Sequence, residues 1–250
     1  MNSWFISDLH LKDSNERNGN TLLRFLFMLN KNPKQNHLFL LGDIFDMWIS
    51  NGSAFTDHYA VIINEIKKFK DGGGVVYYFE GNHDFHIDTF WTRELGIKVI
   101  EDIEYFDLVN YKVRVEHGDF INPDDKAYLR YRALVRHPLV EPLGHLLSGY
   151  FWKWFGENQS QKSRKKTSRY AIENSEKVKK LIRTYAENVH RVEEPFDLIV
   201  TGHMHVFDDY EFEVNGKKVR SINLGTWLDK PRALKISSQK IEIINVLDII

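Results

Sequence analysis

His37-Leu38-Phe39-Leu40-Leu41-Gly42-Asp43 is a continuous apolar run that halts on a glycine and a carboxylate. The run reads as a buried strand, and the polar residues after it fall where an α/β sheet presents a ligand site. Four other segments repeat the arrangement: residues 4–7 lead into Asp8-Leu9-His10, residues 75–79 into Gly81-Asn82-His83-Asp84, residues 112–116 into His117-Gly118-Asp119, and residues 196–200 into Gly202-His203-Met204-His205. Between the first three, residues 21–30 and 55–69 carry apolar groups at helical intervals, and Gly72-Gly73-Gly74 ends the second helix. Alternating strand and helix predicts an α/β fold with a sheet flanked by helices.

Further along, a short helix is expected over residues 89–95 and a strand over 98–100. A hairpin follows, turning at Asn110-Tyr111. Strand signals vanish between about 121 and 191, where the chain is helical in character, aromatic and basic, so this stretch reads as an insertion into a single domain spanning 1–250. Residues 210–214, 218–223 and 233–246 read as a closing antiparallel run with turns at Asn215-Gly216 and Ser237-Ser238.

A chain of 250 residues can hold one large domain with an insertion. Its formal charge of −1 argues against a nucleic-acid partner, which needs a basic surface. With no cysteine there is neither a disulfide framework nor a thiolate zinc site, and a reducing, cytoplasmic setting fits. The first residues lack the basic and small-residue features of a signal peptide. No run approaches the roughly 20 apolar residues of a bilayer-spanning helix, so membrane association is expected to be peripheral.

The motif residues are hard oxygen and imidazole donors, the set that a bridged pair of divalent cations requires together with one shared carboxylate. Asp8 and His10 can lean into one pocket, and Asp43 is assigned as the bridge because Gly42 permits close backbone approach. Asn82 offers an amide oxygen; His117, His203 and His205 offer nitrogens. If the backbone is extended at His203-Met204-His205, both imidazoles point to one side. Asp46 and Asp119 are expected to hydrogen-bond a neighbouring ligand or loop rather than touch metal. Each cluster alone could be an ordinary turn or helix cap; five at successive strand ends have no comparable structural explanation. The chemistry implied is metal-assisted hydrolysis by a dinuclear centre.

The order D-x-H, GD, GNHD, HGD and GHxH resembles the calcineurin-like metallophosphoesterase superfamily over residues 8–205. The resemblance implies a sandwich of two mixed β-sheets flanked by helices. It implies one metal held by Asp8, His10, Asp43 and His205 and another by Asp43, Asn82, His117 and His203, with manganese or a similar divalent ion typical. It also implies that His83 stabilises the transition state or protonates the leaving group, and that Asp84 orients His83.

Specificity must come from what covers the metals. The insertion carries an apolar and aromatic stretch over residues 139–155, followed by Lys162, Arg164, Lys165, Lys166 and Arg169. A self-packed helical hairpin with a solvated basic face and a nucleic-acid patch are two readings of it. The expectation adopted is a cap that accepts acyl chains and meets an anionic membrane surface. Such a helical lid between HGD and GHxH resembles the UDP-2,3-diacylglucosamine hydrolases of lipid A biosynthesis, with Tyr128, Arg132, Arg164, Lys165, Lys166, Arg169, Asn82 and His83 as substrate contacts. The activity implied is conversion of UDP-2,3-diacylglucosamine to UMP and 2,3-diacylglucosamine 1-phosphate. Well-known members carry Arg where this chain has His83, and a GNHD-bearing subgroup is also similar. The alternatives are a phosphodiesterase or phosphatase on another lipid or nucleotide, and an inactive binding scaffold.

Overall fold

The computed structural model describes residues 1–49, 53–137 and 174–250. In chain order the elements are β1 (Asn2–Ile6), α1 (Arg17–Leu29), β2 (Asn36–Leu41), β3 (Trp48–Ile49), α2 (Ser53–His58), α3 (Ala60–Asp71), β4 (Val75–Phe79), β5 (Asp84–Phe85), α4 (Asp88–Trp91), β6 (Lys98–Ile100), β7 (Ile103–Leu108), β8 (Tyr111–Glu116), α5 (Lys126–Val135), α6 (Ser175–Val192), β9 (Leu198–Thr201), β10 (Phe207–Val214), β11 (Lys217–Leu224), β12 (Arg232–Ile236) and β13 (Ile241–Asn245).

Two mixed sheets face each other. The first runs β13-β12-β1-β2-β4-β6, parallel from β1 to β6, with β12 and β13 added antiparallel at one edge. The second runs β10-β11-β9-β8-β7, with β9 parallel to both β8 and β11. Strand alternation sorts the apolar runs onto two faces. Phe5, Phe39, Leu41 and Phe79 join Val113, Val115, Leu198, Val200 and Ile222 between the sheets, while Trp4, Ile6, Leu38, Leu40 and Tyr78 face the helices. Burial on both faces is why residues 38–41 are apolar without a break.

The helices cover the outer faces by the spacing that predicted them. In α1 the buried Leu22, Phe25, Leu26 and Leu29 fall on one stripe, as do Ile62, Ile63, Ile66 and Phe69 in α3. On the far side, Ala186 and Val189 of α6 pack against Ile199 and Val219 of the second sheet.

Four details depart from the sequence reading. The helix expected over 55–69 breaks at Tyr59, whose buried side chain donates to the Leu11 carbonyl at 2.8 Å and stacks with Trp48, pinning the chain between α2 and α3. The helix expected over 89–95 extends only from Asp88 to Trp91. The hairpin turns at Val109-Asn110 instead, leaving Tyr111 paired with Leu108 and Val109 at φ 60°, a strained value for a β-branched residue. The closing run is not all antiparallel, since β11 inserts beside β9 in parallel.

Of the insertion expected over about 121–191, the described residues show α5 and α6. Arg164, Lys165, Lys166 and Arg169, named above as substrate contacts, and the apolar stretch at 139–155 lie outside the described residues.

Candidate metal centre

The five motifs meet at one end of the sandwich because each follows a strand whose C-terminal end points there. Asp8 and His10 follow β1, Asp43 follows β2, Asn82 and His83 follow β4, His117 follows β8, and His203 and His205 follow β9. The loops after β1 and β2 stay hydrogen-bonded to one another, with Asp8 N–H donating to Gly42 O at 3.2 Å and His10 N–H to Asp43 O at 3.0 Å.

Close approach demands unusual backbone. Asp8, His10, Asp43, His203 and His205 all take positive φ, between 49° and 65°. Non-glycine residues pay a steric cost there of about 1–3 kcal/mol each, tolerated where the surrounding structure fixes the conformation. Gly42, at φ 76°, also has no room for a side chain, because a Cβ would come within 2.6 Å of His117 Nδ1.

The donors sort into two groups. In the first, His10 Nε2 and His205 Nε2 are 2.9 Å apart, His205 Nε2 is 3.2 Å from Asp8 Oδ1, and His10 Nε2 is 3.8 Å from Asp43 Oδ2. In the second, His203 Nδ1 lies 3.0 Å from Asn82 Oδ1 and 3.3 Å from His117 Nε2, and His117 Nε2 lies 3.7 Å from Asp43 Oδ1. Asp43 therefore turns one oxygen toward each group. His203 and His205 do not share a side as an extended strand would require. Their left-handed backbone sends His203 to the second group and His205 to the first.

These spacings fit divalent ions. Donors held about 2.1 Å from a common ion at angles near 90–110° lie about 3.0–3.4 Å from each other. Asp8 Oδ1 is fully buried and faces only imidazole nitrogens, His205 Nε2 at 3.2 Å and His10 Nε2 at 4.0 Å, a setting that a shared cation would complete. His117 donates from Nδ1 to the Leu41 carbonyl at 2.7 Å, which makes Nε2, facing Asn82 and Asp43, the nitrogen that would bind a cation once its own proton is displaced.

The electrostatics also call for cations. Burial, together with the nearby Asp8 charge, pushes the Asp43 carboxyl up to about 7. Burial works against a charged His117, but the carboxylates of Asp43, Asp119 and Asp8 overcome it and push that imidazole up to about 9. Burial and the neighbouring His117 push His203 down to about 4, keeping it neutral.

Asp84 has a different role from the one the resemblance implies. Its Oδ1 accepts from Asp43 N–H and Gly81 N–H, each at 2.8 Å, and its Oδ2 accepts from Ile44 N–H at 2.9 Å and Tyr78 O–H at 2.7 Å. Two of the donors, Asp43 and Ile44, belong to the turn that aims Asp43, Gly81 opens the Asn82 loop and Tyr78 stands in β4; none is the His83 ring. The His83 ring is held by the Asp46 carbonyl, 2.8 Å from Nδ1, and its Nε2 sits 4.0 Å from Asp43 Oδ2. Asp84→Asn replaces one acceptor with an amide donor facing these donors. The lost acceptor costs about 1–3 kcal/mol, but burial and the Asp43 charge raise the Asp84 carboxyl to about 6, so the lower melting temperature of the metal-free variant should be plainest at about pH 4 and shrink as pH rises toward 6.

Asp46 groups with His10 and His83, and Asp119 with His117 and His203. Asp119 accepts from Tyr128 O–H and, at 2.6 Å, from Arg132 Nε. Although burial opposes the charge, His117, His203 and these donors hold its carboxyl well below the usual range. The two α5 residues expected to contact substrate thus direct polar groups at the protein itself: Tyr128 to Asp119, and Arg132 to Asp119 and Asp102. Sequence reasoning missed Glu80 and Arg136, an ion pair beside the Asn82 loop with Arg136 Nη1 3.2 Å from Glu80 Oε2. A glutamate ending an otherwise apolar strand was the available signal; burial raises its carboxyl to about 8 despite the arginine.

Similarity to known proteins agrees with this geometry. Residues 1–207 match the calcineurin-like phosphoesterase family. The chain is 30% identical over 240 residues to a UDP-2,3-diacylglucosamine hydrolase of Vibrio vulnificus, covering 95% of each chain. It is 30% identical over 241 residues to that of Pseudomonas aeruginosa, covering 95% of this chain and 96% of the other. It is 27% identical over 249 residues to that of Vibrio parahaemolyticus, covering 98% of both. A match over most of the chain, laid on two donor groups that share a carboxylate, makes this protein a metal-dependent hydrolase belonging to the calcineurin-like phosphoesterase family.

Proposed function

We propose that the chain hydrolyses the pyrophosphate bond of UDP-2,3-diacylglucosamine by water attack at the α-phosphorus, giving UMP and 2,3-diacylglucosamine 1-phosphate. The observation that carries the hydrolytic reading is Asp43, whose two oxygens face separate donor groups. The near full-length similarity to hydrolases of that name supports the substrate. Asp8, His10, Asp43 and His205 would hold one divalent ion, and Asp43, Asn82, His117 and His203 a second, with manganese as the ion. Such ions supply Lewis-acid activation of water and neutralise charge developing on phosphorus.

The chain's own residues do the rest. The Leu41 carbonyl fixes the tautomer of His117, and the Asp46 carbonyl fixes that of His83. With its Nδ1–H given to that carbonyl, His83 presents Nε2 beside Asp43, where the imidazolium form of the ring is placed to donate a proton or hydrogen bond to a phosphate oxygen of the departing group. Asp84 keeps the Asp43 turn rigid through its four hydrogen bonds. Within the same proposal, Lys162, Arg164, Lys165, Lys166 and Arg169 meet substrate phosphates and an anionic membrane surface on the cytoplasmic side.

The deciding experiment offers the purified chain, with manganese, UDP-2,3-diacylglucosamine, bis-p-nitrophenyl phosphate and simple phosphomonoesters. The proposal expects UMP release as the fastest reaction, faster still on anionic vesicles and less so as salt rises. Cleavage of the diester alone would make the chain a phosphodiesterase for another substrate. Silence on all three with metal bound would make it a binding scaffold.

A further inference from the structure

No residue of α5 is fully buried, and among the described residues no apolar core cluster includes this helix. Polar ties hold it instead, at both ends. Tyr128 and Arg132 reach Asp119 near its start, and Arg136, the residue capping its C-terminus, reaches the sheet at its end. The Arg136 side chain is only 11% exposed. Nη1 donates to Glu101 O at 2.9 Å, Nη2 lies 3.4 Å from the carbonyls of both Glu80 and Gly81, and Nη1 lies 3.2 Å from Glu80 Oε2.

Glu80 is itself buried and closes the loop it begins, since its Oε1 accepts from Ile87 N–H at 2.9 Å. Between those two residues lie Asn82 and His83. His86 adds a second tie from this loop to the helix, with Nε2 2.7 Å from the Val135 carbonyl. A planar guanidinium that meets the Glu80 carboxylate, three backbone carbonyls and, at 3.8 Å, the Asp119 carboxylate fixes an orientation as well as a distance, which a lysine ammonium cannot do.

We propose that Glu80 and Arg136 are a positioning pair that locks the end of α5 onto the loop carrying Asn82 and His83, and so sets where this helix stands relative to a bound substrate. Neither residue touches the reacting atoms. A substrate large enough to reach α5 depends on that placement, whereas a small diester held by the donor groups does not reach so far. The substrate arm of the test rests on the hydrolase reading above; the exchange arm does not.

The test compares wild type with Arg136→Ala, Arg136→Lys, Glu80→Gln and the Glu80→Gln/Arg136→Ala double variant. Amide hydrogen exchange over residues 126–135 should quicken at least about tenfold in Arg136→Ala while amides of α1 keep their protection, the mark of a local release. The kcat/KM for UDP-2,3-diacylglucosamine should fall at least tenfold further than that for bis-p-nitrophenyl phosphate, with metal content unchanged. Arg136→Lys should recover only part of this loss, and the double variant should lose less than the two single losses multiplied together. Unchanged exchange over α5, equal losses on both substrates, or full recovery by lysine would overturn the proposal. A wild-type chain inactive on the acylated substrate would instead refute the substrate reading, and the exchange result would still decide this one.

Discussion

Asp43→Ala should reduce UMP release at least about a thousandfold, equivalent to about 4 kcal/mol in the barrier, and should lower bound metal from two equivalents to one or none. Among the described residues, Asp43 is the carboxylate that faces both donor groups, with Oδ2 3.8 Å from His10 Nε2 and Oδ1 3.7 Å from His117 Nε2. On the proposed assignment, its removal would take a ligand from each ion and the negative charge that would hold two cations close together. The metal-free variant should nevertheless be no less stable than the metal-free wild type at pH 8. Burial raises the Asp43 carboxyl to about 7 in the folded state. A carboxyl raised in this way opposes folding increasingly as pH climbs from its unfolded value toward the folded one, so at pH 8 its loss relieves a penalty. Metal analysis, turnover and melting of the chelated proteins measure the three effects. Near-normal turnover with two bound ions would remove Asp43 from its assigned role.

His83→Ala should retain both metals and lose about 10²–10⁴ in kcat, the usual contribution of a positioned acid or base. The ring is anchored at Nδ1 by the Asp46 carbonyl, sits edge-on to His10 with centroids 4.9 Å apart, and has 12% of its side chain exposed, enough for substrate to reach it. Its Nε2 is 4.0 Å from Asp43 Oδ2, on the margin of the first donor group. The informative comparison is metal content against rate across the same preparations. Loss of one ion together with the rate would instead make His83 a ligand in the group it forms with His10 and Asp46.

The strands and the donors they deliver were legible because both depend on local pattern. An apolar run ending in Gly-Asp or in His-Gly-Asp marks a strand end whatever surrounds it; such runs recovered β1, β2 and β4, and the 3.6-residue spacing recovered α1 and α3. Features that depend on residues distant in sequence were not legible. Two of the four donors to Asp84 come from positions 43 and 44, some forty residues away, and no spacing rule connects them to the His83 neighbour that the motif suggests. The His203-Met204-His205 triplet failed for a different reason. Alternation assumes extended backbone, and both histidines adopt positive φ. Arg136 reads as one more cation in a basic helix until the fold carries it to Glu80, 56 positions earlier.

Each donor group draws on both halves of the sandwich. Asp8, His10 and Asp43 come from the first sheet and meet His205 of the second; His117 and His203 of the second meet Asn82 of the first. Bound ions would thus act as rivets through two plates, joining strand ends that the polypeptide connects only through long excursions. Whatever binds the assembled plates and not the separated ones shifts the folding equilibrium by mass action, so metal availability in the cell would govern how long this protein survives as well as how fast it turns over.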